Sequence, residues 1–448
     1  MSSILGDRYA MGNCCLLVTF LALLALADNI LANALPLALD PEPPQVPGFW
    51  NLTTTALVLS IISDLIGQIS LIPVAYFFGS QYAMKLNSLS VLIASVFSLA
   101  SLFWRADLFS WIPAIAGIFK TIGGGSHATI FLTITLIRKN SFDSLRTTLI
   151  YTTGATVVVC QTIASIVTPF LARQNQMLPY VFSITCCILA GTVTIIYDEN
   201  ESSASVRACA NDPSMQPLLS HETTNQDSRF TTLCELGEIH YRTWNNKPSM
   251  VRKVLKSLGW IFFLAAVAKA TRPLFLTYIQ HRVGITPALA SHLWSVRTIM
   301  SLVIFAVFLP LVVAALAKYT TWPLNAINLY IAKISVILLT TGALLIGLAR
   351  SKPMLVSGLV INTLGVATDL ALLSFAAGIV TDDLANCFFM TIASLESAGT
   401  LIGILLLYPL YQLGLHDKTL FGGIPYYLCA GLFTIAGIKV WQMKSLVV

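Results

Sequence analysis

The run TTTALVLSIISDLIGQISLIPVAYFF, residues 53–78, holds a single charged side chain, Asp64, in 26 positions. As a helix rising ~1.5 Å per residue it outreaches the roughly 30 Å hydrocarbon core of a bilayer. Lipid offers no partner for backbone N–H and C=O groups, so a run that crosses must be helical. A charge at the bilayer centre costs at least ~2.5 kcal/mol on insertion scales, and it is tolerated where it faces a bundle interior, a partner or a water-filled path. Residues 53–78 therefore predict one helix of a membrane-embedded bundle with a polar interior.

Working outward, eleven more runs of the same kind lie at about 14–36, 86–104, 111–137, 147–170, 179–197, 257–279, 287–316, 324–349, 353–377, 385–409 and 422–442. Six spans precede residue 198 and six follow residue 256. The expected fold is an all-α membrane protein of twelve helices in two six-helix halves, 1–197 and 257–448. Between them, 198–256 is polar, rich in Ser, Asn and Asp, and without a sustained apolar run, which predicts a largely disordered linker. The composition agrees: 56% of residues are hydrophobic and 10% charged, against roughly 25% charged in a soluble domain. Cys14 to Leu35 is too long for a signal peptide and is broken by Asp28, so it is expected to stay as the first helix.

The basic residues set the orientation. With the N-terminus inside, 15 Lys and Arg fall in cytosolic segments and 6 in outside loops. Both ends and the linker should be cytosolic, and the net charge of +6 reflects topology rather than a nucleic-acid partner. The nine Cys include no Cys-x-x-Cys and none lies in an expected outside loop, so neither a disulfide framework nor a metal site is predicted. Asn51-Leu52-Thr53 is a candidate glycosylation sequon beside the second span. No Gly-x-x-x-x-Gly-Lys-Ser/Thr loop is present, and Gly123-Gly124-Gly125, inside the fourth span, reads as a close-packing device. No cofactor is predicted, and uphill movement would draw on an ion gradient.

Nine charges lie within spans: Asp28, Asp64, Lys120, Lys269, Arg272, Arg297, Lys333, Asp369 and Glu396. By helical rise Asp64, Lys120, Lys269, Arg297 and Glu396 share a depth near the midplane, with Asp28 slightly deeper, where transporters built from two repeats place substrate and coupling sites. Asp28, Asp64 and Glu396 are the candidate proton carriers. Lys120, His127, Lys269, Arg272, Arg297, Lys333 and Asp369 are the candidate substrate or charge-pairing groups. Any of the acids has an alternative role as half of a static ion pair. Lys269 and Arg272, ahead of Pro273, suit an anionic or carboxylate-bearing substrate, with lipid-facing snorkelling of Arg272 as the alternative. His127 is read as a hydrogen-bonded packing residue or a proton relay.

Three local patterns carry a resemblance: Gly117-Ile-Phe-Lys-Thr-Ile-Gly-Gly-Gly-Ser126, Ser144-Leu-Arg-Thr147, and Trp294-Ser-Val-Arg-Thr-Ile-Met-Ser-Leu302 followed by Leu309-Pro310. With the six-plus-six layout they resemble the fourth, fifth and eighth helices of the major facilitator superfamily, most closely its small-molecule transporters of filamentous fungi. Two stretches depart from that pattern. Ala75 to Lys85, where the family usually reads Gly-x-x-x-Asp-Arg-x-Gly-Arg-Arg, keeps only Lys85 of its charges, so the family's conformational latch must be weak or replaced. Gly117 stands where the family often has Arg in the fourth helix, with Lys120 nearby. The resemblance implies a monomeric secondary transporter in the plasma membrane, with an internal membrane as the alternative. Its expected activity is proton-coupled efflux of a secondary metabolite or toxic compound. Import of a small organic acid or nutrient, and a membrane receptor that transports nothing, are the alternatives. No nucleophile-and-base set suggests an enzyme.

Overall fold

The computed structural model describes residues 2–39, 52–103, 115–141, 143–197, 249–271, 274–415 and 420–443. Asn51, Arg272 and the 198–248 part of the linker lie outside the described residues. Among those described, regular structure is helical throughout, in twelve passes. The first half holds α1 (Ser2–Leu39), α2 (Leu52–Phe77), α3 (Ser80–Phe103), α4 (Ala116–Ile122 and Gly125–Asn140), α5 (Asp143–Gln174) and α6 (Leu178–Ile196). The second holds α7 (Ser249–Lys269, resuming as Phe275–Val283), α8 (Pro287–Val303, Ile304–Phe308, Leu309–Tyr319) and α9 (Leu324–Leu348). It continues with α10 (Lys352–Leu364, Gly365–Ala367, Thr368–Ile379), α11 (Asp382–Leu415) and α12 (Ile424–Gln442). Ten passes hold runs long and apolar enough to cross a membrane on their own; α4 and α7 are the two that do not.

The helices are apolar on most sides because lipid, not water, meets their outer faces. Ile195 and Leu413 are over 70% exposed, a cost a soluble surface avoids at such density. Within each half, small residues bring backbones together. A Cβ on Gly67 of α2 would fall 2.7 Å from the Gly124 Cα of α4, and one on Gly342 of α9 2.5 Å from the Asn362 Cα of α10.

Three expectations change. The triple glycine is not inside a continuous helix: α4 runs as a 3₁₀ segment to Ile122, turns at Gly123–Gly124, and restarts as an α-helix at Gly125. Gly124 and Gly125 take φ of 75° and 69°, the left-handed region that costs an L-residue about 1–2 kcal/mol and glycine little. Helix α7 begins at Ser249, eight residues into what reads as linker, because Val254, Leu255 and Leu258 bury one face while Lys253 and Lys256 stay exposed on the other. In α8 a π-helical turn, Ile304–Phe308, precedes Pro310; the wider turn accommodates a residue with no N–H to give.

The even number of passes puts both described chain ends on one face of the bundle, together with the end of α6 and the start of α7. On that face the halves are joined. Arg138 of α4 donates from Nε to the Ala377 carbonyl at 2.9 Å and from Nη2 to the Val380 carbonyl, and Arg146 of α5 donates to Ala377 O at 3.2 Å. These carbonyls form the C-terminus of α10, whose orphan acceptors and negative dipole end favour cations. Nearby, Asn386 of α11 donates to Ala75 O at 3.0 Å and accepts from the Ser80 hydroxyl at 3.0 Å. Buried Asn328 of α9 donates to Ser374 and Thr147 and accepts from the Tyr151 hydroxyl. Charge-to-carbonyl and neutral bonds thus join the two halves on this face.

Candidate functional site

A cavity of about 500 Å³ lies between the halves, on the side of these bonds away from the joined face. Its walls come from both: α1, α2, α4 and α5 on one side, α7, α8, α10 and α11 on the other. That is a size typical of small-molecule sites. Most of the lining is apolar, with Asn29, Ser126, His127, Gln161, Lys269, Asp369, Glu396 and Thr400 as the polar part.

Breaks in α4 and α10 place the charges. In the first half, Lys120, in the last turn of the 3₁₀ segment, reaches Asp28 of α1 with Nζ 2.5 Å from Oδ1, both side chains 7% exposed. The other oxygen, Oδ2, accepts the Ser126 N–H at 3.2 Å, so Asp28 also caps the restarted helix, where the dipole favours an anion. Asp64 of α2 packs against the break: a Cβ on Gly125 would fall 2.9 Å from its Cγ. Its charge acts on Lys120, and its Oδ1 is sealed from solvent without a hydrogen bond. The polar stripe Ser60, Asp64, Gly67 and Gln68 accordingly faces α4, with Gln68 donating to the Gly124 carbonyl at 3.2 Å. Neither Asp28, Asp64 nor Lys120 lines the central cavity.

In the second half the polarity is exchanged. The base, Lys269, is on the first helix and the acid, Asp369, on the fourth, just past the 3₁₀ turn Gly365–Ala367, and the two form an ion pair. They are 18% and 23% exposed and both line the cavity. Across it, His127 Nδ1 stands 3.8 Å from Glu396 Oε2.

Arg297 of α8 stacks on Trp294 with its guanidinium 5.0 Å from the ring centroid and reaches Asn362 Oδ1 at 3.5 Å. The shared midplane depth therefore resolves into separate clusters. Arg297 joins neither Asp28 nor Asp64, whose base is Lys120. Lys333 does not line the cavity: on α9 its ammonium lies 5.4 Å from the Trp441 ring at the end of α12. Depth along a helix fixes height but not direction, and α9 contributes nothing to this lining. Asn29, Gln161 and Asn362 are absent from the sequence-derived site, although an uncharged amide inside an apolar span is itself a signal of an interior position.

No family model matches the chain. Among curated proteins it is similar to the MFS efflux pump atnC of Emericella nidulans, 21% identical over 348 residues, covering 75% of this chain and 63% of that protein's length. Among solved structures it superposes on the human organic anion transporter MFSD10 (TETRAN) with a TM-score of 0.68 at 14% identity, covering 96% and 99% of the two chains. It superposes on the proton:xylose symporter XylE with a TM-score of 0.67 at 12% identity, covering 98% and 96%. A double-tryptophan XylE mutant gives 0.72 at 13% identity, covering 97% and 96%.

Proposed function

We propose that this chain, whose fold is that of the major facilitator transporters, is a proton-coupled secondary transporter that exports a small amphipathic organic molecule by alternating access. The observation that carries the reading is the cavity of about 500 Å³ walled by both halves beneath a face that polar bonds hold shut. Parting Arg138 and Arg146 from the α10 carbonyls, and Asn386 from Ala75, opens the cavity toward the joined face. Closing the opposite side completes the cycle. The similarity to an efflux pump supports export. In this reading the joined face is cytosolic and the plasma membrane is the site of action.

The proton's place is the first-half cluster. Asp28 and Asp64 together carry one charge more than Lys120 balances, and an excess charge in a low-dielectric interior is costly. A proton on Asp64 removes that excess without touching the Asp28–Lys120 bond. Glu396 beside His127 is the second candidate carrier, and its place on the cavity wall makes it sensitive to substrate. Asp28, bonded twice, is the least available of the three.

The test is flux. Purified protein in liposomes should accumulate at least one fluorescent amphipathic compound from a panel when a pH gradient is imposed, and a protonophore should abolish that accumulation. Uptake no greater than in protein-free liposomes for every compound would overturn the transport reading.

A further inference from the structure

Two amides hold the glycines that break α4. Gln68 of α2 donates from Nε2 to the Gly124 carbonyl at 3.2 Å, and Asn87 of α3 donates from Nδ2 to the Gly125 carbonyl at 3.2 Å and to Thr129 Oγ1 at 2.8 Å. Both side chains are fully buried. These bonds fix which way each amide points, because a turned amide would set its oxygen against a carbonyl oxygen. The outward-turned oxygens, Gln68 Oε1 and Asn87 Oδ1, are sealed from solvent without a hydrogen-bond donor, and so is Asp64 Oδ1. Three buried acceptors without donors therefore gather at residues 124 and 125.

Buried polar atoms are nearly always paired, and an ionised carboxylate brings only further acceptors. A protonated one brings a donor. Asp64 and Gln68 are four residues apart on α2, which makes them neighbours on one helical face, and both pack against the break.

We infer that Gln68 is a positioning residue for proton binding, its Oε1 accepting the hydrogen bond that Asp64 donates once it carries a proton. This rests on the proton reading of Asp64 above and adds the residue that sets how firmly the proton is held. One proton on the Asp64 carboxylate turns two adjacent acceptors into a donor and an acceptor, and its release restores the first state. A bond made only by the protonated acid favours that form. Asp28 stays ionised through the exchange, bonded to Lys120 and to the Ser126 N–H.

The charges that act on Asp64 are Lys120 of α4 and Asp28 of α1. From α3 the break meets uncharged Asn87 and Ser90, while Lys85 is exposed. On α11, which also packs against α2, Glu396 lines the central cavity, as does His127 of α4.

Infrared pH titration of purified protein in nanodiscs reads the carboxyl directly and needs no substrate. Subtracting the spectrum of Asp64→Asn from that of the wild type isolates the Asp64 band, which on protonation should lie at the lower frequency of an acid that donates a hydrogen bond. Gln68→Met keeps the reach of the side chain and drops the amide. Against the double variant Gln68→Met/Asp64→Asn, its band should move to the frequency of a free acid and its midpoint should fall by about one pH unit.

A purely structural Gln68 would lower the melting temperature and leave band and midpoint in place, which overturns the inference. Should Gln68→Met not fold, the wild-type band decides, because a free-acid frequency there overturns it equally. The proton reading fails in a different way. If Asp64→Asn removes no titrating band, Asp64 is not the carrier and both fall, whereas a titrating band at the free-acid frequency removes Gln68 alone.

Discussion

Each half of the molecule breaks its fourth helix and pairs a charge near that break with one on its first helix, yet the two halves do so with opposite polarity. In the first half the acid is on α1 and the base on α4, sealed at 7% exposure with a second acid, Asp64, alongside. In the second the base is on α7 and the acid on α10, more open and on the cavity wall. The breaks differ too. Gly124 and Gly125 need positive φ, whereas Gly365 sits at −77° and marks only a 3₁₀ turn. The same scaffold therefore holds one charge cluster away from the central cavity and the other against it. A sealed cluster with an excess acid suits proton binding, and an open pair suits exchange of a counter-ion.

The comparison breaks first on stability. Lys120→Met leaves Asp28 and Asp64 in the interior with no base, and losing one partner of a buried pair costs about 3–5 kcal/mol. Lys269→Met leaves only Asp369, at 23% exposure, and should cost clearly less. Melting of the two variants in detergent, against the wild type, measures the difference. Equal losses would mean that both pairs serve packing alike.

A smaller effect is expected at the breaks. Gly124→Ala incurs the left-handed cost, about 1–2 kcal/mol, and its Cβ also meets the Gln68 Cγ at 2.9 Å. Gly284→Ala, at φ 67° with open space around it, isolates the conformational part and should cost less than Gly124→Ala. If the two melt alike, the first-half break is not tightly packed against α2. The smallest effect belongs to Lys333→Leu. The variant gives up a cation–π contact of about 0.5–1 kcal/mol outside the cavity, so transport should stay within twofold of the wild type, and a large loss of flux would return Lys333 to the site.

Much of this was legible in the sequence. The apolar runs gave twelve passes and the polar stretch divided them, because the lipid constraint acts on every residue of a span. Asp64, Glu396 and Lys269 stood out because charge in an apolar run is costly wherever it points. Partners were not legible: Lys269 meets Asp369 100 positions away, and only the packing of α7 on α10 brings them together. Lys333 stood out as a charge within a span, but its direction, toward Trp441 and away from the cavity, was not legible. The glycine triplet looked like close packing, which it also is, but the sign of φ that breaks α4 cannot be read from a glycine alone. Asn362, which accepts from Arg297, is an uncharged residue that a search for charges passes over.

In the proposed cycle labour is divided, with the proton held at the sealed first-half cluster and the substrate in the cavity between the halves, against the Lys269–Asp369 pair. Gradient-driven accumulation and substrate exchange in the same proteoliposomes test it most directly, using any compound the wild type carries. Asp64→Asn should lose the response to an imposed pH gradient while keeping exchange between the two sides, and Lys269→Gln should lose both. A wild-type response to the gradient in Asp64→Asn would contradict the account.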